Sequence, residues 1–350
     1  MSAPAAVTQQ GLDRFSLRVA LLGLLFAVGI HIDGWAHNHG RVDDSFFTPW
    51  HGILYGTYLA VAFTVLGRVL GTRADGSSWR AAIPPGYGAT VAGIAVFFAG
   101  GIGDMAWHMA FGVEESLDAL LSPTHLVLAT GGVLMATGPF VAGTRRPGPE
   151  WQGAAPAVIT SAALLSFVGF MTQYMHPMSR LWPVADWREA VPGAGELSAA
   201  LGVAGFIWYA AVLTAVVLVL DRLGSLPPGA AGVLIAGSAG FAVTQGDEYW
   251  LVLPAIGAAA VIEAVRARLA DNRVGYRMLA FAIPAVPVAL HLVALGLAFE
   301  IGWSVHLWAG TPVIAGLVGV LVSLVVVPPS AGSVQQAAGG RKQDAVTGNG

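Results

Sequence analysis

The sequence predicts an all-α integral membrane protein of about ten transmembrane helices, arranged as five hairpins with both termini in the cytoplasm. Three observations lead there. Of the 350 residues, 55% are hydrophobic and only 11% are charged, with a mean hydropathy of +0.68; an ordinary soluble domain carries about 25% charged residues. Apolar runs of bilayer-crossing length recur along the whole chain. Basic residues also gather on alternate connections, as the retention of positive charge in the cytoplasm requires.

Residues 1–12 read as a polar, disordered tail, and 13–327 as a single transmembrane domain. The first apolar run, from Leu17 to about Ile32, follows Arg14 and Arg18 like the start of a signal peptide. It has no small-x-small cleavage site before the polar stretch from Asp33 to His39, so it is expected to be a retained helix over 15–37. Further spans are expected at 49–71, 87–111, 122–144, 155–176, 196–220, 228–246, 248–269, 277–299 and 303–327. The division between the seventh and eighth rests on Thr244-Gln-Gly-Asp-Glu-Tyr-Trp250, which interrupts an otherwise continuous apolar run. From Pro328 the Ser/Gly/Gln/Ala-rich remainder reads as a disordered cytoplasmic tail.

This arrangement puts 14 of the 17 basic residues on the inner side, leaving only Arg41, Arg180 and Arg188 outside. Acidic residues lean outward, 13 of 20, and all nine histidines fall in the outer half. The connections 38–48, 113–121 and 177–195 are therefore expected to face the extracytoplasmic side, in a multi-pass protein of the cell membrane. Cysteine is absent, which excludes disulfides, thiolate metal sites and cysteine nucleophiles. Nothing in the sequence points to nucleic acid.

The chemistry lies in an internal repeat. Asp33-Gly-Trp-Ala-His37 is followed by Thr48-Pro-Trp-His51, and Asp104-Met-Ala-Trp-His108 by Ser122-Pro-Thr-His125. Both the Asp and the first His recur after 71 residues, and the last His after 74. Residues i and i+4 share a helix face, so Asp33 converges with His37, and Asp104 with His108. Thr48 and Ser122 fit N-caps, with Pro49 and Pro123 at the first helical position. That puts His51 and His125 third in the next helices, where the helix dipole favours neutral imidazole, the form a metal needs. Each copy offers one carboxylate and two imidazoles, enough in total for one crowded site or two neighbouring ones. Such donors suit iron, copper, zinc or manganese. The competing reading is a pair of Asp–His hydrogen bonds that cap helices at the interface.

Asp247 and Glu248 at the outer end of the seventh helix, and Glu300 at that of the ninth, are candidates to complete a site or relay protons. His31, His39 and His176 are expected at the surface or behind the ligands, and His291 as a hydrogen-bonded core residue; His306 opens the tenth helix. Outer tryptophans, including Trp35, Trp50, Trp107, Trp182, Trp187, Trp250, Trp303 and Trp308, read first as an interfacial belt.

With the ligands laid out, the Asp-x3-His-x13-His pattern at Asp33, His37 and His51 resembles the Asp-x3-His-x12-His copper motif in the C subunit of particulate methane and ammonia monooxygenases. The likeness covers about twenty residues per copy, and Asp104, His108 and His125 follow it with a longer final spacing. It implies redox chemistry at a mono- or dinuclear centre, with copper or iron favoured, on a small or lipophilic substrate, and with homo-oligomers or additional membrane subunits. A second resemblance, on Ser122, His125 and Asp104, is to zinc-dependent membrane hydrolases of the alkaline ceramidase type. A metal or proton transporter is the third expectation; it would need polar residues continuing inward, and the inner halves of the first four helices are apolar.

Overall fold

A computed structural model describes residues 9–41, 46–112, 114, 116–145, 148, 150–184 and 194–328. Most of both expected tails lies outside the described residues, as do Asp43, Asp44, Glu115, Asp186, Trp187, Arg188 and Glu189. The fold is all-helical, with no strand among the described residues beyond an isolated bridge between Val184 and Ile301. In order the helices are α1 (Gln9–Asn38), α2 (Pro49–Ala74), the short α3 (Trp79–Ala82), α4 (Gly88–Phe111), the short α5 (Ser116–Leu121) and α6 (Pro123–Thr144). They continue as α7 (Trp151–Met171), α8 (Ala194–Arg222), α9 (Ala230–Ala242), α10 (Val252–Arg268), α11 (Arg273–Ala298) and α12 (Val305–Val326).

Among the described residues, nine helices are long and apolar enough to cross a membrane. This is a multi-pass membrane protein. The seventh expected span is shorter than the sequence implied. At a rise of ~1.5 Å per residue, the 13 residues of α9 cover only about 20 Å of a ~30 Å hydrocarbon core. It is extended by a 3₁₀ turn, Val243–Gln245, and a second such turn, Tyr249–Leu251, leads into α10. Gly246 between them passes so close to Ser179 that a Cβ there would stand 3.2 Å from the Ser179 carbonyl oxygen. The polar turn Gly246-Asp247-Glu248 is thereby held against the end of the bundle. Two other ends move: α1 begins at Gln9, so 9–12 are helix rather than tail, and α7 stops at Met171, leaving His176 in turns.

Two hydrophobic cores divide the chain. One is built from α1, α2, α4 and α6, with Val19, Phe26, Tyr58, Val65, Ile94, Phe97 and Met135 inside, and so contains both copies of the repeat. The other joins α7 to α12 around Leu213, Leu234, Ile235, Ile262, Ile283 and Leu295. Helix α1 packs on α7 as well as on α2, and α6 packs on both α4 and α7, so the two halves meet along α1, α6 and α7. Bilayer lipid offers no hydrophobic drive between helices, so close approach at small residues matters more than in water. Gly93 and Gly131 mark that approach between α4 and α6: a Cβ on either would meet backbone of the other helix within 2.7 Å.

The C-terminal end of α1, the start of α2, the C-terminal end of α4 and the start of α6 all border one cavity. The turn before α12 joins the same end, where Gly302 N–H donates to the Pro183 carbonyl. The start of α1 and the end of α12 therefore lie at the opposite end. Trp182 and Trp303 do not sit in an interfacial belt. Each is only 8% exposed, and both close over Gly202, where a Cβ would meet Trp303 at 2.5 Å, so the second core absorbs them.

Candidate metal centre

Each half of the repeat builds its ligands from a helix end and a capped helix start. Thr48 Oγ1 accepts from His51 N–H at 3.1 Å, and Ser122 Oγ accepts from His125 N–H at 3.4 Å. Pro49 and Pro123 occupy the first turn, as the sequence predicted. These caps aim the third-position imidazoles back at the carboxylates of the preceding long helices.

Two donor sets result, Asp33/His37/His51 and Asp104/His108/His125; within each, one ligand atom per residue lies within 4.8 Å of the others. Asp33 Oδ1 is 3.6 Å from His51 Nε2, and Asp33 Oδ2 is 3.9 Å from His37 Nε2. In the second set, Asp104 Oδ2 is 3.4 Å from His108 Nε2, and Asp104 Oδ1 is 3.4 Å from His125 Nε2. These separations are too long for hydrogen bonds, which run at about 2.7–3.2 Å. Three of them, at 3.4–3.6 Å, match the edge of a tetrahedron whose metal bonds are ~2.0–2.2 Å, about 3.3–3.6 Å, and the Asp33–His37 separation of 3.9 Å is longer.

The far edges of the rings sharpen the point. His51 Nδ1 is 2.6 Å from the Phe46 carbonyl, which only accepts, so Nδ1 carries the proton. In its neutral form the ring turns the Nε2 lone pair toward Asp33 Oδ1, a buried oxygen with no hydrogen-bond partner. Lone pair then faces carboxylate, an arrangement that a proton or a metal cation between them resolves. His125 Nδ1 lies 2.8 Å from Ser122 Oγ, and Thr124 donates its hydroxyl to Asp104 Oδ1 at 2.8 Å, so the second set is held from behind. The donors present fit a borderline divalent transition metal.

Both sets face one cavity of about 1040 Å³, which is also lined by Ile30, Leu54, Phe97, Leu128, Phe167 and Phe170 on its apolar side. Phe46 stands between the two copies, its ring centroid 4.9 Å from that of His51 and 6.1 Å from that of His108. Opposite, Asn38 donates to Gln173 Oε1 at 2.7 Å and to Gln245 Oε1 at 3.1 Å, while Gln245 donates to the His31 carbonyl at 3.0 Å. These amides clamp α1 to the second half of the chain.

Asp247 and Glu248 line the cavity as well. The Asp247 side chain is 86% exposed and pairs with His39 Nε2 at 3.0 Å; Glu248 accepts from Trp250 Nε1 at 2.6 Å. Glu300 is not brought in: it is exposed after α11 and does not line the cavity. His31 lies neither at the surface nor against a ligand. It is 3% exposed between the Phe170 and Phe241 rings, because a helix that packs on α7 buries that face of α1. His176 is buried too, accepting from Met178 N–H at 3.3 Å, and burial pushes its pKa down to about 3. His291 belongs to the second core beside Phe206, and His306 is exposed.

Sequence reasoning counted Glu114 only among the outer acids. The fold brings its Oε2 to 3.0 Å from His108 Nδ1, with the side chain 12% exposed and lining the same cavity. No protein family, characterised protein or solved structure matches this chain.

Proposed function

We propose that this protein is a membrane metalloenzyme with two neighbouring transition-metal sites, an oxidoreductase of monooxygenase-like chemistry acting on a small or lipophilic substrate. The observation that carries the metal part is the approach of imidazole Nε2 atoms to carboxylate oxygens at metal-edge distances of 3.4–3.6 Å, twice over, on one cavity. The redox part rests on the motif resemblance. Copper or iron in these sites would supply the electron steps that such a reaction requires.

Within that reading the chain's own residues divide the work. Asp33, His37 and His51 hold one metal, and Asp104, His108 and His125 the other. Phe97, Phe167 and Phe170 offer an apolar wall against which a lipophilic substrate leaves water. Asp247 and His39 at the mouth, and Glu248 behind them, exchange protons between cavity and solvent. Glu300 has no part. The cavity faces the extracytoplasmic side, a placement supported by the distribution of basic residues.

One observation favours a second reading. Three donors of the Asp/His/His type are also the set that a hydrolytic zinc uses, where the metal lowers the pKa of water to about 7. Transport is less well supported, since the residues that continue from Ile30 along α1, such as Val19, Gly23, Phe26 and Ala27, are apolar.

Elemental analysis of the purified protein tests the proposal. Two equivalents of copper or iron are expected, with His51→Ala and His125→Ala each removing about one, additively. Zinc alone would move the assignment to hydrolysis. If each single variant removes nearly all metal, the centre is bridged rather than two sites; if both retain full metal, the triads are structural and the proposal fails.

A further inference from the structure

The repeat continues beyond its ligands. Val42-Asp43-Asp44-Ser45 and Val113-Glu114-Glu115-Ser116 are also separated by 71 residues, so each copy carries an acidic pair starting six residues after the His that ends its helix. Glu114 is the member of these pairs whose position is described. A loop carboxylate without a role turns to water, because burying an unpaired charge is costly. Glu114 does the opposite: both carboxylate oxygens are buried, and Oε2 faces His108 Nδ1 at 3.0 Å.

The same Nδ1 lies 3.2 Å from the Gly112 carbonyl, which only accepts, so the proton resides on this edge of the ring. The opposite nitrogen, Nε2, then presents its lone pair to Asp104 Oδ2 at 3.4 Å. Glu114 is thus on the wrong side of the ring to share a metal with Nε2. Its Oε2 makes no hydrogen bond of its own: the Nδ1–H donates to Gly112, and the buried carboxylate 3.0 Å away acts on the ring by its charge. Negative charge at that edge favours the Nδ1-protonated tautomer and makes the far nitrogen a stronger donor. We propose that Glu114 is the positioning residue of the Asp104/His108/His125 site, acting on the metal through His108. This deepens the metal reading above and rests on it.

The test uses the full-length, metal-free protein in detergent, titrated with Co2+ against a competing chelator. Wild type, Glu114→Ala, Glu114→Gln, His108→Ala and the Glu114→Ala/His108→Ala double variant are compared. Wild type is expected to show two Co2+ binding events. Glu114→Ala should weaken one of them about 10- to 100-fold and leave the other within about twofold, with Glu114→Gln intermediate because it keeps the side chain's shape and an oxygen dipole but loses the charge. The event affected should be the one that His108→Ala affects, and Glu114→Ala should add nothing further in the His108→Ala background. A merely structural loop residue would weaken both events or neither, and either result overturns the proposal. Should Glu114→Ala fail to give a monodisperse protein, Glu114→Gln, nearly identical in shape, decides the matter by the same criterion. A wild type that binds no Co2+ overturns the metal reading and this inference together; two normal events with Glu114 variants unaffected overturn this inference alone.

Discussion

Replacing Gly131 by alanine probes how far the Asp104/His108/His125 donor set, proposed above as a metal site, depends on the packing of α4 against α6. A methyl at Gly131 would stand 2.6 Å from the Phe97 backbone nitrogen and 2.8 Å from Phe97 Cα, where ordinary contact begins at 3.4 Å. Backbone cannot rotate out of the way, so the two helices must part by roughly 0.8 Å, a shift of the kind that overpacking costs at about 1–3 kcal/mol. Alanine's better helix propensity returns at most about 1 kcal/mol, so a net loss of roughly 1–2 kcal/mol is expected. The same pair of helices carries Asp104 and His108 on one side and His125 on the other, with edges of 3.4 Å. Metal–ligand bonds tolerate about 0.2 Å. Gly131→Ala should therefore lower the thermal midpoint and weaken one metal equivalent while sparing the Asp33 site. Gly132→Ala is the control, since its nearest neighbour is Phe26 Cε1 at 3.6 Å and nothing need move. Thermal unfolding and metal content read out both variants. Equal melting of the two, with both metals retained, would refute the claim that this contact sets the site.

Two further outcomes are expected. His176 has its pKa lowered by burial from 6.5 to about 3, so between those values the unfolded chain binds the extra proton; stability present above pH 6.5 is lost as pH falls, by up to about 1.4 kcal/mol per pH unit. Thermal scans from pH 7.5 to 5 should show a slope of this sign, and His176→Asn should reduce it by up to that amount; an unchanged slope would remove His176 as a contributor. Single-cysteine labelling is clean because the chain has no native Cys. A Cys replacing Asp118, exposed on α5 beside the cavity end, should react with an impermeant reagent from the extracytoplasmic side, and reaction only after the inner face is opened would reverse the topology.

Much of this protein is determined by local chemistry that a linear chain already contains. Long apolar runs must become helices in a bilayer, since every backbone polar group has to be satisfied within its own segment. The Asp-x3-His spacing and the Ser/Thr-Pro caps likewise act within one or two helical turns. Convergence inside each triad was therefore legible, and so was its duplication. What the sequence did not reveal depends on distances between segments far apart in the chain. Burial of His31 follows from α7 and α9, more than a hundred residues away, and of Trp182 and Trp303 from contact with Gly202. The shortened α9 reflects the seat of Gly246 against Ser179, and the exclusion of Glu300 the path by which α11 turns into α12. That the triads form two separate sets on one cavity, with Phe46 between them and Glu114 behind His108, is a product of how α1, α2, α4 and α6 pack. Side-chain periodicity fixes which face of a helix a residue occupies; only the packing of the other helices decides what that face meets.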